Sequence, residues 1–166
     1  MHLPRAAALA LFPAVALVLL QAPAAAGKAQ TFTGTCQLSG TVRFEPALTN
    51  SPQTVTQVVR ATGTCSGAPA TYVASELAPR ATCGGGTDTG SGQLALRGGK
   101  IGFTISEVRA GPVVTATANG EAGGSAAGQG NISPGASPVS VVQACGGTGL
   151  SEAPIDIRLA SPSISG

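Results

Sequence analysis

Thr31-Phe32-Thr33-Gly34-Thr35-Cys36-Gln37-Leu38 is the stretch whose reading decides the fold class. Its residues alternate with period two. An extended chain would place Phe32, Gly34, Cys36 and Leu38 on one face and Thr31, Thr33, Thr35 and Gln37 on the other, the pattern of a strand with one buried side. The centre of the stretch recurs, because Thr33-Gly34-Thr35-Cys36 is matched by Thr62-Gly63-Thr64-Cys65. Two distant segments therefore share a strand pattern and a cysteine at the same place in it, which predicts a covalent link within one sheet.

Working outward, the alternation continues through Val42 and Phe44 to Glu45, and Pro46 is predicted to stop it. A second strand spans Thr54–Cys65, followed by turn chemistry at Ser66-Gly67-Ala68-Pro69. Ala70–Cys83 is a third extended segment, limited by Pro79 to an edge or bend, with a short helical turn at Ser75–Leu77. Gly84–Gly92 reads as a loop or a glycine-weakened strand. Gln93–Arg97 and Lys100–Arg109 form the best hairpin, around Gly98-Gly99, with Ile101, Phe103 and Ile105 facing one way. Val113–Ala118 is the next strand, ended by an Asn119-Gly120 turn. Glu121–Gly135 is either a glycine-rich strand pair or a mobile loop. Val139–Cys145 is predicted as a strand, Ile155–Leu159 as the last one, and 161–166 as a loose tail. Outside the N-terminus no segment carries a 3.6-residue period. Many short strands joined by Gly and Pro turns predict an all-β antiparallel meander, closing as a barrel-like domain or a two-sheet sandwich.

The N-terminus carries a different signal. A short basic start with Arg5, an apolar run from Ala6 to Leu20 and small residues from Ala22 to Gly27 match a signal peptide over 1–26, with cleavage as late as 29. The apolar run is shorter than the ~20 residues that span a bilayer. Export to the extracellular space follows, with a single β-domain over 27–160.

All four cysteines, Cys36, Cys65, Cys83 and Cys145, lie beyond the leader. An even count in an exported chain favours two disulfides. Three pairings are possible. Cys36 and Cys65 share the preceding Thr-Gly-Thr, and Cys83 and Cys145 are each followed by two glycines, which favours Cys36 with Cys65 and Cys83 with Cys145.

Composition narrows the chemistry. Charged residues make up 10% of the chain, aromatics 3%, and the formal charge is +2, so nothing marks a nucleic-acid or anionic-membrane surface. The sole histidine is His2, inside the leader. The mature chain therefore has no histidine for a triad, a zincin helix or acid–base catalysis. No cofactor and no metal site are predicted. Thr87-Asp88-Thr89-Gly90-Ser91 looks like an aspartic-protease signature, but that chemistry needs two such carboxylates, and a single copy among glycines reads better as a turn. Asp88 remains a weak site candidate. Glu107 and Arg109 are two residues apart and share a strand face; they are weak candidates whose ordinary reading is a surface ion pair, as for Asp156 and Arg158. Phe32, Phe44 and Phe103 are predicted to pack the core.

Phe32–Phe44, the repeat Thr62–Gly67, Cys83–Leu96 and the ending Asp156–Gly166 together resemble a group of small exported actinobacterial proteins with no assigned function. The resemblance covers most of the chain after the leader and implies export. In composition alone the chain is also similar to the actinobacterial apoproteins that carry enediyne chromophores, whose disulfide loops are shorter. The functional expectation is a non-enzymatic extracellular module that binds an extracellular protein, a cell-wall component or a small ligand. The alternatives are a carrier with an apolar lumen, and a hydrolase in which two carboxylates converge in a pocket.

Overall fold

A computed structural model describes residues 29–133 and 138–166. The predicted leader lies outside these residues. Eight strands follow one another: β1 (Thr31–Leu48), β2 (Gln53–Cys65), β3 (Ala68–Ala81), β4 (Gly85–Leu96), β5 (Gly99–Ala110), β6 (Val113–Gly120), β7 (Gly123–Ile132) and β8 (Leu150–Ser165), with a helix α1 (Pro138–Gly146) between the last two. Each strand pairs antiparallel with the next, and β8 pairs back onto β1. The meander is thus a closed barrel, and closure leaves no sheet edge exposed for foreign pairing.

Alternation explains which side faces in. Phe32, Cys36, Leu38, Val42 and Phe44 of β1 are buried, while the threonines between them are exposed. The same rhythm in the other strands fills the lumen with apolar side chains and puts Thr, Ser, Gln and Arg on the outer wall. This is the inverse of a membrane-spanning barrel, whose apolar band faces outward. We call the end of the barrel that carries Thr31 the lower end, and the end that carries Leu48 and α1 the upper end.

Both predicted disulfides are present, Cys36–Cys65 and Cys83–Cys145. The repeated Thr-Gly-Thr-Cys segments lie on adjacent strands, and their cysteines are opposed in the β1–β2 register. The second disulfide ties the end of α1 to the β3–β4 turn at the upper rim.

Several expectations are corrected. Val139–Cys145 is helical, although its valines favour a strand. Pro138 suits a first helical position, the glycines after Cys145 suit a helix end, and the helix places Val141 and Cys145 four residues apart on one side. Of the two readings of Gly84–Gly92 the glycine-weakened strand holds, since β4 starts at Gly85, paired with β5 throughout and with β3 from Thr89 onward. No helical turn forms at Ser75–Leu77, which lies within β3. Pro46 does not end β1; the strand runs on to Leu48, with its register against β8 shifted between Arg43 and Leu48. The β4–β5 turn is Arg97-Gly98, one residue earlier than predicted, since Leu96 pairs with Gly99. Asn119-Gly120 belongs to β6 and the turn falls at Glu121-Ala122. Most of Glu121–Gly135 is strand β7. Residues 161–166 are no loose tail, because β8 stays paired to both neighbours as far as Ser165, with Ile164 buried.

Candidate functional site

The inward-facing row of β5 reads Ile101, Phe103, Ile105, Glu107, Arg109. Its first three members are core residues. The last two keep the same parity and so must enter the same lumen, where they are 7% and 4% exposed. The predicted surface ion pair is therefore corrected: the two do share a face, but that face is the interior. Asp156 and Arg158, by contrast, are exposed on β8.

Three neighbouring strands do the same at the same height. Gln57 interrupts the buried Val55, Val59 and Ala61 row of β2, Glu76 follows Tyr72 and Ala74 in β3, and Asp88 shares the inward parity of Leu94 in β4. Asp88 is not in a loop turn. The register places Asp88 beside Glu107 and Glu76 beside Gln57. Gly90 makes room for this arrangement: a Cβ there would come within 2.7 Å of Glu76 Cα and 2.8 Å of Glu76 Cγ.

One carboxylate oxygen from each of Glu76, Asp88 and Glu107 lies within 4.8 Å of the other two. Gln57 Nε2 donates to Glu76 Oε2 at 3.1 Å and to Glu107 Oε1 at 3.0 Å, which fixes both glutamates. Asp88 has no such support. It is 1% exposed and neither of its oxygens has a hydrogen-bond partner; Glu76 Oε1 is also without one. Arg109 donates from Nη1 to the Thr82 carbonyl at 2.9 Å, and its guanidinium lies 5.9 Å from the centre of the Phe44 ring.

Burial dominates the electrostatics. Removal from water pushes the Glu76 carboxyl up to about 7, against the Gln57 hydrogen bond, which favours the charged form. Burial and the neighbouring Glu76 charge push Glu107 up to about 8. Asp88 is raised by burial and pulled back first by Arg109 and then by the nearby Glu107 and Gln57. Arg109 is lowered by its own burial, opposed by Asp88 and Glu107. Tyr72 is raised by burial and then by the two glutamates.

Both ends of the lumen are packed. Below the cluster, the void beside Phe32, Tyr72 and Phe103 is only about 20 Å³. Beside Glu107 and Val59 it is about 30 Å³, space for a single water. Above, Phe44, Leu48, Arg109, Val141 and Cys145 leave about 10 Å³. A small-molecule pocket needs roughly 300 Å³ or more, and none of these three lumen voids approaches that, which counts against a carrier. A larger hollow of about 790 Å³ lies outside, on the lower part of β2–β4 between Pro69, Thr71 and Leu96, and Arg97 is its one charged lining residue.

Of the weak candidates, Asp88, Glu107 and Arg109 are brought together. Glu76 and Gln57 are the members that sequence reasoning passed over, although each falls on the buried parity of its strand. Comparison with protein-family models, curated proteins and solved structures finds no match to this chain.

Proposed function

We propose that this protein is a secreted, non-enzymatic binding module that works through the outer wall of a rigid barrel. The observation that carries this reading is the sealing of the acidic cluster. Three carboxylates do converge, as a hydrolase would require, but Glu76, Asp88 and Glu107 are 2%, 1% and 7% exposed. A glycoside hydrolase needs its two carboxylates on either side of a scissile bond, and the voids here hold no sugar ring.

The outer wall of β4–β7 supports the reading further. Thr89, Ser106, Thr117 and Ala127 form one row across four strands, and Ser91, Thr104, Asn119 and Ser125 form the next. These rows contain no charge. They offer hydroxyl and amide groups to an uncharged, hydrogen-bonding surface on an extracellular protein or cell-wall glycan. Two disulfides and a polar outer wall suit an oxidising extracellular setting.

Native mass spectrometry of protein taken from its own culture medium tests this reading. A bound partner is expected, released by Ser106→Arg with Thr117→Arg and retained by Asp88→Asn. Turnover of glycoside, ester or peptide substrates that disappears in Glu107→Gln would overturn it.

A further inference from the structure

The acidic cluster has no part in outer-wall binding and calls for its own explanation. Three carboxylates and one guanidinium leave two negative charges in the lumen when all are ionised, and burial of unpaired charge is among the costliest arrangements a fold can contain. Gln57 satisfies one oxygen of each glutamate. It leaves Asp88, almost completely buried, with both oxygens unpartnered and one of them among the converging ligand atoms. That is the condition of a ligand set rather than of a finished hydrogen-bond network.

We propose that Glu76, Asp88 and Glu107 form a binding site for one hard divalent cation, of which calcium is the best fit, held inside the barrel beneath the α1 cap. Two positive charges balance the two that Arg109 leaves over. The donor set is oxygen alone: the described residues contain no histidine, and all four cysteines are in disulfides. Such a set favours calcium, magnesium or manganese over zinc or copper. Calcium accepts oxygens at about 2.3–2.6 Å, so ligands on opposite sides of it stand up to roughly 5 Å apart. The three carboxylate oxygens, within 4.8 Å of one another, match that span. The tighter magnesium shell, at about 2.0–2.1 Å, would require them to close in. The void beside Glu107 is large enough for one water to complete the shell.

The rest of the geometry suits a structural ion. Gln57 orients two of the three ligands from behind, as outer partners of metal ligands do. Arg109 and Phe44 close the site from above, and the Cys83–Cys145 link holds α1 over them. The ion would therefore exchange slowly with solvent.

The test uses the full chain, refolded at pH 8 once with a chelator and once with calcium chloride, then desalted. Native mass spectrometry should show one calcium per chain in the second sample only, with a higher thermal midpoint. Asp88→Asn and Glu76→Gln should each weaken calcium binding at least tenfold, while Asp156→Asn on the outer wall leaves it unchanged. Circular dichroism on both interior variants separates loss of the site from loss of the fold, and if one of them fails to fold the other decides. The proposal is overturned if the calcium-refolded chain carries no stoichiometric ion, if the folded interior variants bind as tightly as the wild type, or if zinc displaces calcium at equal concentration. An empty site would also leave the outer-wall reading standing, so the two fail separately.

Discussion

The lower and upper halves of the lumen are built by the same strands under the same alternation, yet they hold the barrel together by different means. Below, Phe32, Leu94, Ile101, Phe103 and Ile164 are buried, and the Tyr72 and Phe103 rings stack with centroids 5.5 Å apart. Gly92 admits the Phe103 ring, since a Cβ there would stand 2.6 Å from Phe103 Cζ. Above, the same inward positions carry Gln57, Glu76, Asp88, Glu107 and Arg109. The lower half buries apolar groups and the Ser161 hydroxyl, which donates to the Ser125 carbonyl, whereas the upper half gives up solvation of its charges and recovers it only if something neutralises them. A domain can tolerate this when the remainder of its core is well packed, and polar groups kept at such a cost point to a role other than packing.

The largest effect expected of a single substitution lies below. Phe103→Ala should cost about 3–5 kcal/mol, the range for removing a buried aromatic side chain, read as a shift in the urea midpoint. A loss under about 1 kcal/mol would show that the lower half is not the stabilising one. Next comes the response of the upper half to pH in metal-free protein. Glu76 and Glu107 hold their protons more tightly folded than unfolded, rising from an ordinary 4.5 to about 7 and about 8. Asp88 moves the same way, Arg109 opposes from above and Tyr72 stays neutral. The stability these carboxyls contribute is complete below about pH 4.5, declines as pH rises, and is lost by about pH 8. The expected fall is on the order of 3 kcal/mol for each of the two glutamates, measured by urea unfolding at pH 4.5, 6 and 8 with chelator present. Calcium should remove most of it at pH 8 and change little at pH 4.5. A flat profile in chelator would mean the carboxyls titrate alike in both states.

How far the sequence reveals these halves differs in an instructive way. The period-two rhythm of β1 and β2 and the matching cysteine contexts are local signals, and they carry the strand class, the meander and the Cys36–Cys65 link. Barrel closure is not local: β1 meets β8 across more than a hundred residues, and nothing in Thr31–Leu48 says which distant strand completes it. For the site, β5 contained the answer. Ile101, Phe103 and Ile105 fix the inward parity, and Glu107 and Arg109 continue it, but charge suggests solvent more strongly than parity suggests burial. The glycines around Asp88 read as a loop or a weakened strand alike, and only the β5 ladder along them, joined by β3 from Thr89, decides for the strand. Glu76 and Gln57 become significant only when β2–β5 bring them to one height. The helix was obscured by its valines, whose strand preference yields to the need to cross the upper rim and reach Cys83.

A smaller effect of opposite sign would sharpen the contrast. In chelator at pH 8, Asp88→Asn should stabilise the protein by about 1–2 kcal/mol, since it removes a buried, unpartnered charge and supplies an amide that can donate to a neighbouring carboxylate. With calcium present the order should reverse, because the variant loses a ligand. No conservative substitution in the apolar lower half is expected to change sign with calcium. If Asp88→Asn destabilises equally in both conditions, the upper half is an ordinary polar core.

The smallest effect concerns charge outside the wall. Arg43 on β1 and Glu152 on β8 meet at 2.8 Å beside the seam that closes the barrel, with side chains 73% and 48% exposed. Its position invites the view that this pair clamps the seam. Magnitudes say otherwise: an exposed ion pair contributes about 0–1 kcal/mol and weakens with salt, while the β1–β8 ladder extends from Thr31–Ser165 past this point to Leu48–Leu150. Arg43→Ala should therefore cost less than about 1 kcal/mol, and raising the salt should erase most of the difference. A loss of several kcal/mol that persists in high salt would mean that the seam depends on this pair, and that charge on the outer wall, not only in the upper lumen, decides how the barrel holds.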